Sequence, residues 1–352
     1  NTRELPFTGC GTDFMRRHHP ELHGAQTRND DAAYQAARSR PDVQVLRTLP
    51  VVVHIIHDNG PENISDAQVQ QGIAQLNAAF NATFGTGVNT DIQFCLAQRD
   101  PNGQATSGIT RDQSALTSFD IQTQDILLKN INRWAPTCYI NIWVVAAINS
   151  ASMGNGVVGY AYLPSAHGLN FDGIVIEAAY FGSSQANTGV LVHEMGHYLG
   201  LYHTFEGGCG NDDCLLDGDR VCDTPPDQTT FASCNPNANS CNTDADDLSA
   251  NNPFTSDVPD LGEDYMDYST LSCFSKFTQG QSERMNWHIT HIRGSLLGCL
   301  SCQTPCPAPL AAVIVAPAGT QTIPVGSTLN SSGAATNSFQ YAWNVGSDPV
   351  FA

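Results

Sequence analysis

Residues 188–205 read TGVLVHEMGHYLGLYHTF. On a helix, His193 and His197 lie four residues apart, so both imidazoles leave one face about one turn apart. Glu194 projects about 100° away from His193, near enough to serve the same cleft. Gly200 stands where a helix ends in a left-handed residue, and the turned chain brings back a third imidazole, His203. Three neutral imidazoles with one position left open are the donor set of a catalytic zinc site, since a structural site closes the fourth position with another protein ligand. The chemistry of such a set is hydrolysis by a metal-activated water with Glu194 as general base. A bare HExxH occurs in unrelated helices. The full spacing His193-Glu194-x-x-His197-x-x-Gly200-x-x-His203 is far more restrictive. Val190, Leu191, Val192, Met195 and Leu199 give the same stretch enough apolar surface to be a core helix rather than a solvated one.

The elements that hold this helix must come from a chain of 352 residues, enough for one large domain and a smaller one. Its 41% apolar and 14% charged residues describe a packed protein, not a disordered one. A net charge of −19 argues against nucleic acid and anionic membranes as partners. Much of the acid falls in loops after the zinc helix, where calcium is a reasonable ligand. Twelve cysteines, with the metal pattern already supplied by histidines, imply disulfides and an oxidising compartment. No run of 18 apolar residues is present, so no membrane-spanning helix is expected. The chain starts at Asn1 and shows no signal sequence, which reads as numbering after signal removal and hence a secreted protein.

Along the chain, residues 1–48 are polar and Arg-containing, with little to bury beyond a short helix over Asp31–Arg38. They read as an N-terminal extension or pro-segment. The catalytic domain spans 49–300. It opens with Leu49 to Ile56, a β-branched buried strand; His54 and His57 belong to it as structural residues. Ser65-Asp66-Ala67-Gln68 is a capping box, followed by Val69, Ile73, Leu76 and Phe80 on one helical face. Further strands are expected at 91–97, 139–145, 154–163 and 173–178, and a second helix at 119–134 with Ile126, Leu127, Ile131 and Trp134 buried. This order gives an α+β fold with a mixed twisted sheet, a backing helix and an active-site helix. Residues 156–161 are the candidate edge strand beside the cleft, where an extended peptide can pair. Residues 206–272 form a loop-rich section that needs cross-links or ions. Thr278-Gln279-Gly280-Gln281 starts a last helix. A Pro-rich linker at 301–310 leads to 311–352, which read as a partial β-sandwich module with Trp343 in its core.

Five motifs in order bring a family into view: the His193 motif, the HTFEGGC continuation, DRVCDTPP, YMDYS and FTQGQ. Over residues 50–297 the sequence resembles the pappalysin (cytophagalysin) branch of the metzincin metallopeptidases. The resemblance implies a metzincin-type zinc endopeptidase acting on proteins or peptides. It implies that Met266 forms a turn packed beneath the three histidines and that Tyr268 steadies the oxyanion of the tetrahedral intermediate. It further implies calcium at Asp219, the Val221 carbonyl, Asp223 and Thr224. Matching the family's cysteines pairs Cys209 with Cys241 and Cys234 with Cys273; Cys214–Cys222 is an extra local bridge and Cys95–Cys138 a cross-link between strands. Relatives that cut beside basic residues carry an acid just after the tyrosine of YMDYS. Here Ser269-Thr270-Leu271-Ser272 follow, so a basic preference is not implied unless acids from Asp257 to Asp264 substitute.

Two fates are open to Cys10. The CGT at 10–12 resembles the pro-segment cysteine of pappalysin zymogens, whose thiolate takes the fourth zinc position until cleavage between Arg28 and Arg47. Alternatively Cys10 forms a disulfide with Cys299, Cys302 or Cys306. The reading for the whole chain is a secreted, monomeric, calcium-stabilised zinc endopeptidase. A non-catalytic adhesion protein with zinc as a staple has no use for Glu194, and a small-molecule zinc hydrolase has no use for an open edge strand.

Overall fold

The computed structural model describes residues 9–18, 25–37, 45–150, 156–228, 234–305, 342–345 and 348–351. Its sheet is built on β1 (Arg47–His57), whose β-branched run is buried on both faces. Eleven residues are long enough for β1 to pair on one side with two parallel strands end to end. These are β2 (Ile92–Leu96) and β3 (Ile109–Gln113). On its other side β1 pairs in parallel with β5 (Ile140–Val145), then β8 (Ile174–Glu177) follows, also parallel. The sheet ends at β7 (Gly159–Ala161), which is antiparallel to β8. A separate two-stranded ladder joins β4 (Ser118–Asp120) to β6 (Ala147–Asn149).

Two helices pack on one sheet face. Helix α3 (Asp66–Phe80) starts where the Ser65 side chain accepts from the Gln68 amide, and it buries Val69, Ile73, Leu76 and Phe80. Helix α5 (Gln185–Tyr198) carries the HExxH residues. Both lie in one apolar core with Leu49, Val51, Val53 and Ile55 of β1, the alternate residues of a pleated strand. The opposite sheet face meets Phe119, Trp143 and Tyr160. Helix α6 (Gln279–His291) closes the C-terminal part and opens with a complete capping box between Thr278 and Gln281. It is followed by the single turn α7 (Ser295–Gly298).

Three expectations are corrected. Residues 119–134 are not one helix: Phe119 belongs to β4, and only α4 (Asp125–Lys129) is helical. Asp120 Oδ1 accepts from the Gln122 and Thr123 amides, a local turn that competes with helix formation. Asp125, Leu128 and Lys129 face inward, leaving Ile126 and Leu127 39% and 56% exposed. Cys95 and Cys138 do not pair. Cys95 lies on β2 and Cys138 just before β5, with β1 between them, so they stand about two strand spacings apart, roughly 9–10 Å, beyond disulfide reach. Each binds the C-terminal end instead, as Cys95–Cys302 and Cys138–Cys299. Finally, the N-terminal segment does bury side chains: Phe14 and Met15 of α1 (Thr12–His18) and Tyr34 of α2 (Ala25–Ala37) are all under 4% exposed.

The section between α5 and α6 holds no long helix or strand among its described residues and is cross-linked by Cys209–Cys241, Cys214–Cys222 and Cys234–Cys273. The chain divides into two units, 1–305 and 306–352. Of the second, only the antiparallel pair β9 (Ala342–Val345) and β10 (Asp348–Phe351) is described; residues 311–341 of the expected β-sandwich module lie outside the described residues.

His54 shows how tightly the sheet is sealed. It is fully buried, with Nδ1 2.8 Å from Thr110 Oγ1 and Nε2 2.9 Å from Asn141 Oδ1. Burial pushes its pKa down to about 4, against the Asn141 hydrogen bond. An unfolded histidine takes up its proton near 6.5, so between about pH 4 and 6.5 the unfolded chain binds more protons than the folded one. Stability therefore falls as pH drops through that window, by up to about 3 kcal/mol from this residue. In urea unfolding at pH 7 and pH 4.5, His54→Gln should lose less stability on acidification than the parent; equal losses would remove His54 as a source of the pH dependence.

Candidate active site

Helix α5 is buried all round, from Asn187 to Tyr198, because it lies between the sheet and the C-terminal segment. Its last turn closes at Leu199, and Gly200 follows at φ +105°, where a Cβ would also run into the His288 ring. The reversal carries His203 back to the helix. The Nε2 atoms of His193, His197 and His203 then form a nearly equilateral triangle with sides of 3.1, 3.1 and 3.2 Å.

What turns the rings this way lies on their other nitrogens. His193 Nδ1 is 2.7 Å from the Tyr265 carbonyl and His197 Nδ1 is 2.8 Å from the Leu201 carbonyl. A carbonyl only accepts, so both Nδ1 atoms carry the proton and both Nε2 atoms present lone pairs. His203 Nδ1 faces Asp13 Oδ2 at 3.0 Å and is oriented likewise. Burial lowers the pKa of His193 well below its usual value and that of His197 to about 3, helped by the neighbouring imidazoles, so these two rings keep to the neutral form that ligates a metal. Three converging lone pairs in a dry site call for a cation. The edge of a tetrahedron built on Zn–N bonds of about 2.0–2.1 Å is about 3.3 Å, close to the spacing here. The donor set fits zinc.

Met266, expected beneath the triad, is fully buried with its thioether against Gly196 of α5, the residue before His197. A Cβ on Gly196 would collide with its Sδ, so the third residue after His193 has to be glycine for the methionine to pack there. The same turn supplies the Tyr265 carbonyl to His193 and, at 3.2 Å, the Met266 carbonyl to the Thr204 amide. Tyr268 stacks edge-on against His203, with ring centroids 4.8 Å apart.

Glu194 is fully buried, and its Oε1 has no hydrogen-bond partner among the described residues. Burial pushes its pKa up to about 8, against hydrogen bonds from Cys10 and Thr12. Cys10 Sγ stands 3.4 Å from Glu194 Oε2, and Thr12 Oγ1 stands 3.2 Å from the same oxygen. Cys10 is unpaired and buried; Cys299 and Cys302 are committed elsewhere, and Cys306 lies outside the described residues. Its sulfur and the three Nε2 atoms all lie within 4.8 Å of one another. The backbone around it is strapped to the sheet edge. Gly11 donates to the Gly159 carbonyl at 2.8 Å, Val158 to the Gly9 carbonyl at 3.2 Å, and the Cys10 amide to Tyr268 Oη at 2.9 Å.

A family model described as Peptidase M43, pregnancy-associated plasma protein-A, matches residues 122–290. An extracellular metalloprotease of Colletotrichum graminicola is 30% identical over 304 residues, 83% of this chain and 93% of that protein. One from Verticillium alfalfae is 30% identical over 306 residues, with 83% and 92% covered. The chain belongs to the M43 peptidase family. Among solved structures, a promirolysin mutant of Tannerella forsythia superposes with a TM-score of 0.65 and 27% identity, covering 85% of this chain and 99% of that one. Mature mirolysin of the same organism, in complex with a cleaved peptide, gives 0.60 and 29%, covering 76% and 100%. The metzincin-like α+β fold and the metalloprotease class of this M43 chain are thereby established.

The segment expected to bind calcium is gathered only in part. Asp219 Oδ1 accepts from the Val221 amide at 2.9 Å, and Thr224 Oγ1 lies 2.8 Å from both Asp219 oxygens and 2.6 Å from the Val221 carbonyl. Asp223 turns away to cap α6, accepting from Thr278 Oγ1 at 2.8 Å and the Gly280 amide at 2.9 Å. Beside α5 the M43 domain also has a cavity of about 240 Å³, reached by Gln75, Thr188, Gly189, Val192, Tyr265 and Leu271, with no charged residue in its lining. Sequence reasoning had Thr12 only as the last residue of the CGT segment, without its contact to Glu194, and missed Asp13, which touches His203. Nothing local marks them; only their place directly after Cys10-Gly11 does.

The Gly196 constraint can be measured. Gly196→Ala should cost about 1–3 kcal/mol in urea unfolding, the usual range for overpacking, and should weaken metal retention in a chelator competition. Unchanged values on both counts would mean that Met266 yields freely.

Proposed function

We propose that this M43 chain is the latent form of a secreted zinc endopeptidase whose N-terminal segment occupies its own active site. The observation that carries this reading is the convergence of Cys10 Sγ with the three Nε2 atoms, while the same segment engages Glu194. The thiol is close enough to the three imidazoles to serve as a fourth ligand to a bound zinc, as in a cysteine switch, and a thiolate there would take the place of the catalytic water. Support also comes from mirolysin, whose solved pro-form overlays more of this chain than its mature form does.

His193, His197 and His203 would hold the zinc, which when bound would supply Lewis acidity toward water and the scissile carbonyl. The chain's own groups do the rest. With residues 9–12 removed, the β7 edge offers backbone donors and acceptors to an extended peptide. Glu194 takes the proton from the attacking water at the oxygen now facing Cys10 and Thr12, and returns it to the leaving amine. The Tyr268 hydroxyl, freed from the Cys10 amide, donates to the oxyanion. Calcium at Asp219, Val221 and Thr224 would meet hard oxygen ligands in a segment where burial pushes Asp219 upward. Asp223 would join only by leaving the start of α6.

Two substitutions test the two halves. Glu194→Ala should retain zinc and fold but lose peptidase activity by about two or more orders of magnitude; near-parental cleavage of denatured casein would remove Glu194 as the base. Cys10→Ala should leave the intact chain active toward a short peptide without processing, whereas unchanged latency would end the cysteine-switch reading and leave the first half standing.

A further inference from the structure

The N-terminal segment is held at a second place, away from the zinc triad. Helix α2 lies against α6, and its Asp31, 4% exposed, is paired with both Arg284 and Arg220 and accepts from Tyr202 Oη at 3.0 Å. Arg284 is 1% exposed; its Nε donates to the Gly200 carbonyl at 2.7 Å, which fixes the guanidinium toward α2. That guanidinium lies over the rings of Tyr34 and Tyr202, at 5.2 and 5.1 Å, and Arg220 lies 4.9 Å over Tyr202. Three residues after Asp31 and on the same helical face, Tyr34 packs edge-on against Trp287 at 5.6 Å and stacks on His288 at 6.3 Å. Thr27 bonds Ser165 at 3.1 Å, and Gln35 bonds the Leu215 carbonyl, so α2 touches three separate parts of the protease domain.

We propose that Arg220, Arg284, Tyr202, Trp287 and His288 form a binding site for an acidic–aromatic helical segment, and that its occupant, α2, keeps the N-terminal segment docked after the chain is cut between α2 and β1. Removing one partner of a buried ion pair leaves the other charge uncompensated, and here departure of Asp31 would strand Arg284. In a chain of net charge −19, the site is a local cationic pocket that selects a carboxylate. Within residues 1–40 the one cysteine is Cys10, which is unpaired, so no disulfide from this stretch would hold the severed piece. Cutting and unblocking are therefore separate events, and the second is non-covalent dissociation. The inference rests on the reading of residues 9–18 as an inhibitory segment, but the binding site itself does not use Cys10.

The test uses the full chain with a site for a specific protease inserted after Arg40. After cutting, size-exclusion chromatography shows whether the N-terminal piece travels with the rest. The parental piece should co-elute, and so should that of Cys10→Ala. Asp31→Asn and Tyr34→Ala should each release it at least about tenfold faster, as expected when a buried charge pair or an aromatic anchor is lost, and Asp31→Glu should restore retention. Thermal unfolding of the uncut chains identifies any variant that fails to fold, and two independent anchor variants keep the test usable. Immediate separation of the parental piece would overturn the proposal. So would retention by both anchor variants equal to the parent. Release by Cys10→Ala with retention by Asp31→Asn would assign the grip to the thiol alone, which overturns this site and leaves the cysteine-switch reading intact.

Discussion

The convergence of three imidazole Nε2 lone pairs to within about 3 Å of one another is what a metal centre of this kind depends on. The arrangement persists because each ring is gripped from behind. Two grips are main-chain carbonyls, of Tyr265 and Leu201, which lock the tautomer as well as the angle. Much of the surrounding structure can be read as what holds those carbonyls still. Leu201 is placed by the reversal at Gly200. Tyr265 is placed by a turn whose Asp264 accepts from the Met266 amide at 2.8 Å and from Gln281 Nε2 at 3.0 Å, tying it to the first turn of α6. The metal site is thus a joint between α5 and α6, not a property of α5 alone.

The third grip differs in kind. His203 leans on Asp13, a residue of the N-terminal segment, and Asp13 is steadied by Arg16, which also forks onto Glu206 at 2.7 and 2.8 Å. The N-terminal segment that brings Cys10 to the triad therefore also completes its electrostatics. Its backbone enters as an added strand at the open edge of β7, parallel at Cys10–Gly159. A short edge strand is a liability in most proteins because unpaired donors invite other chains. A peptidase needs that liability in its working state, so a latent form has reason to cover it with its own chain.

How much of this was legible in the sequence depended on range. The HExxHxxGxxH spacing, the two capping boxes and the buried β-branched strand are local patterns, and each corresponds to an element of the structure because short-range geometry decides it. The helix expected over 119–134 failed for a local reason too, the competing turn at Asp120, although apolar residues at helical spacing concealed it. Pairing of Cys95 and Cys138 failed because it depends on strand order, and no pattern within either strand says that β1 lies between them. The contacts of Thr12, Asp13 and Asp31 were invisible for the same reason. A polar residue that finds its partner more than 180 positions away leaves no periodic trace.

The loops after α5 raise a different physical question. They bury carboxylates that a basic residue does not always meet: Asp264 and Asp267 are both under 2% exposed, and burial pushes their pKa values up to about 7 and about 8. Disulfides hold such a segment in shape by restricting the unfolded chain, but they do nothing for charge. With 34 acidic against 15 basic residues, the chain has few arginines and lysines to spare for the acids buried in this one segment. Two solutions remain, proton uptake or a divalent cation. A cation neutralises several carboxylates at once and accepts carbonyl and hydroxyl oxygens as well, which matches a segment where Val221 and Thr224 crowd Asp219. Asp264 holds the Met266 turn through Oδ1, while its other oxygen, Oδ2, has no hydrogen-bond partner among the described residues, so the carboxylate that fixes the turn is itself met on one side only.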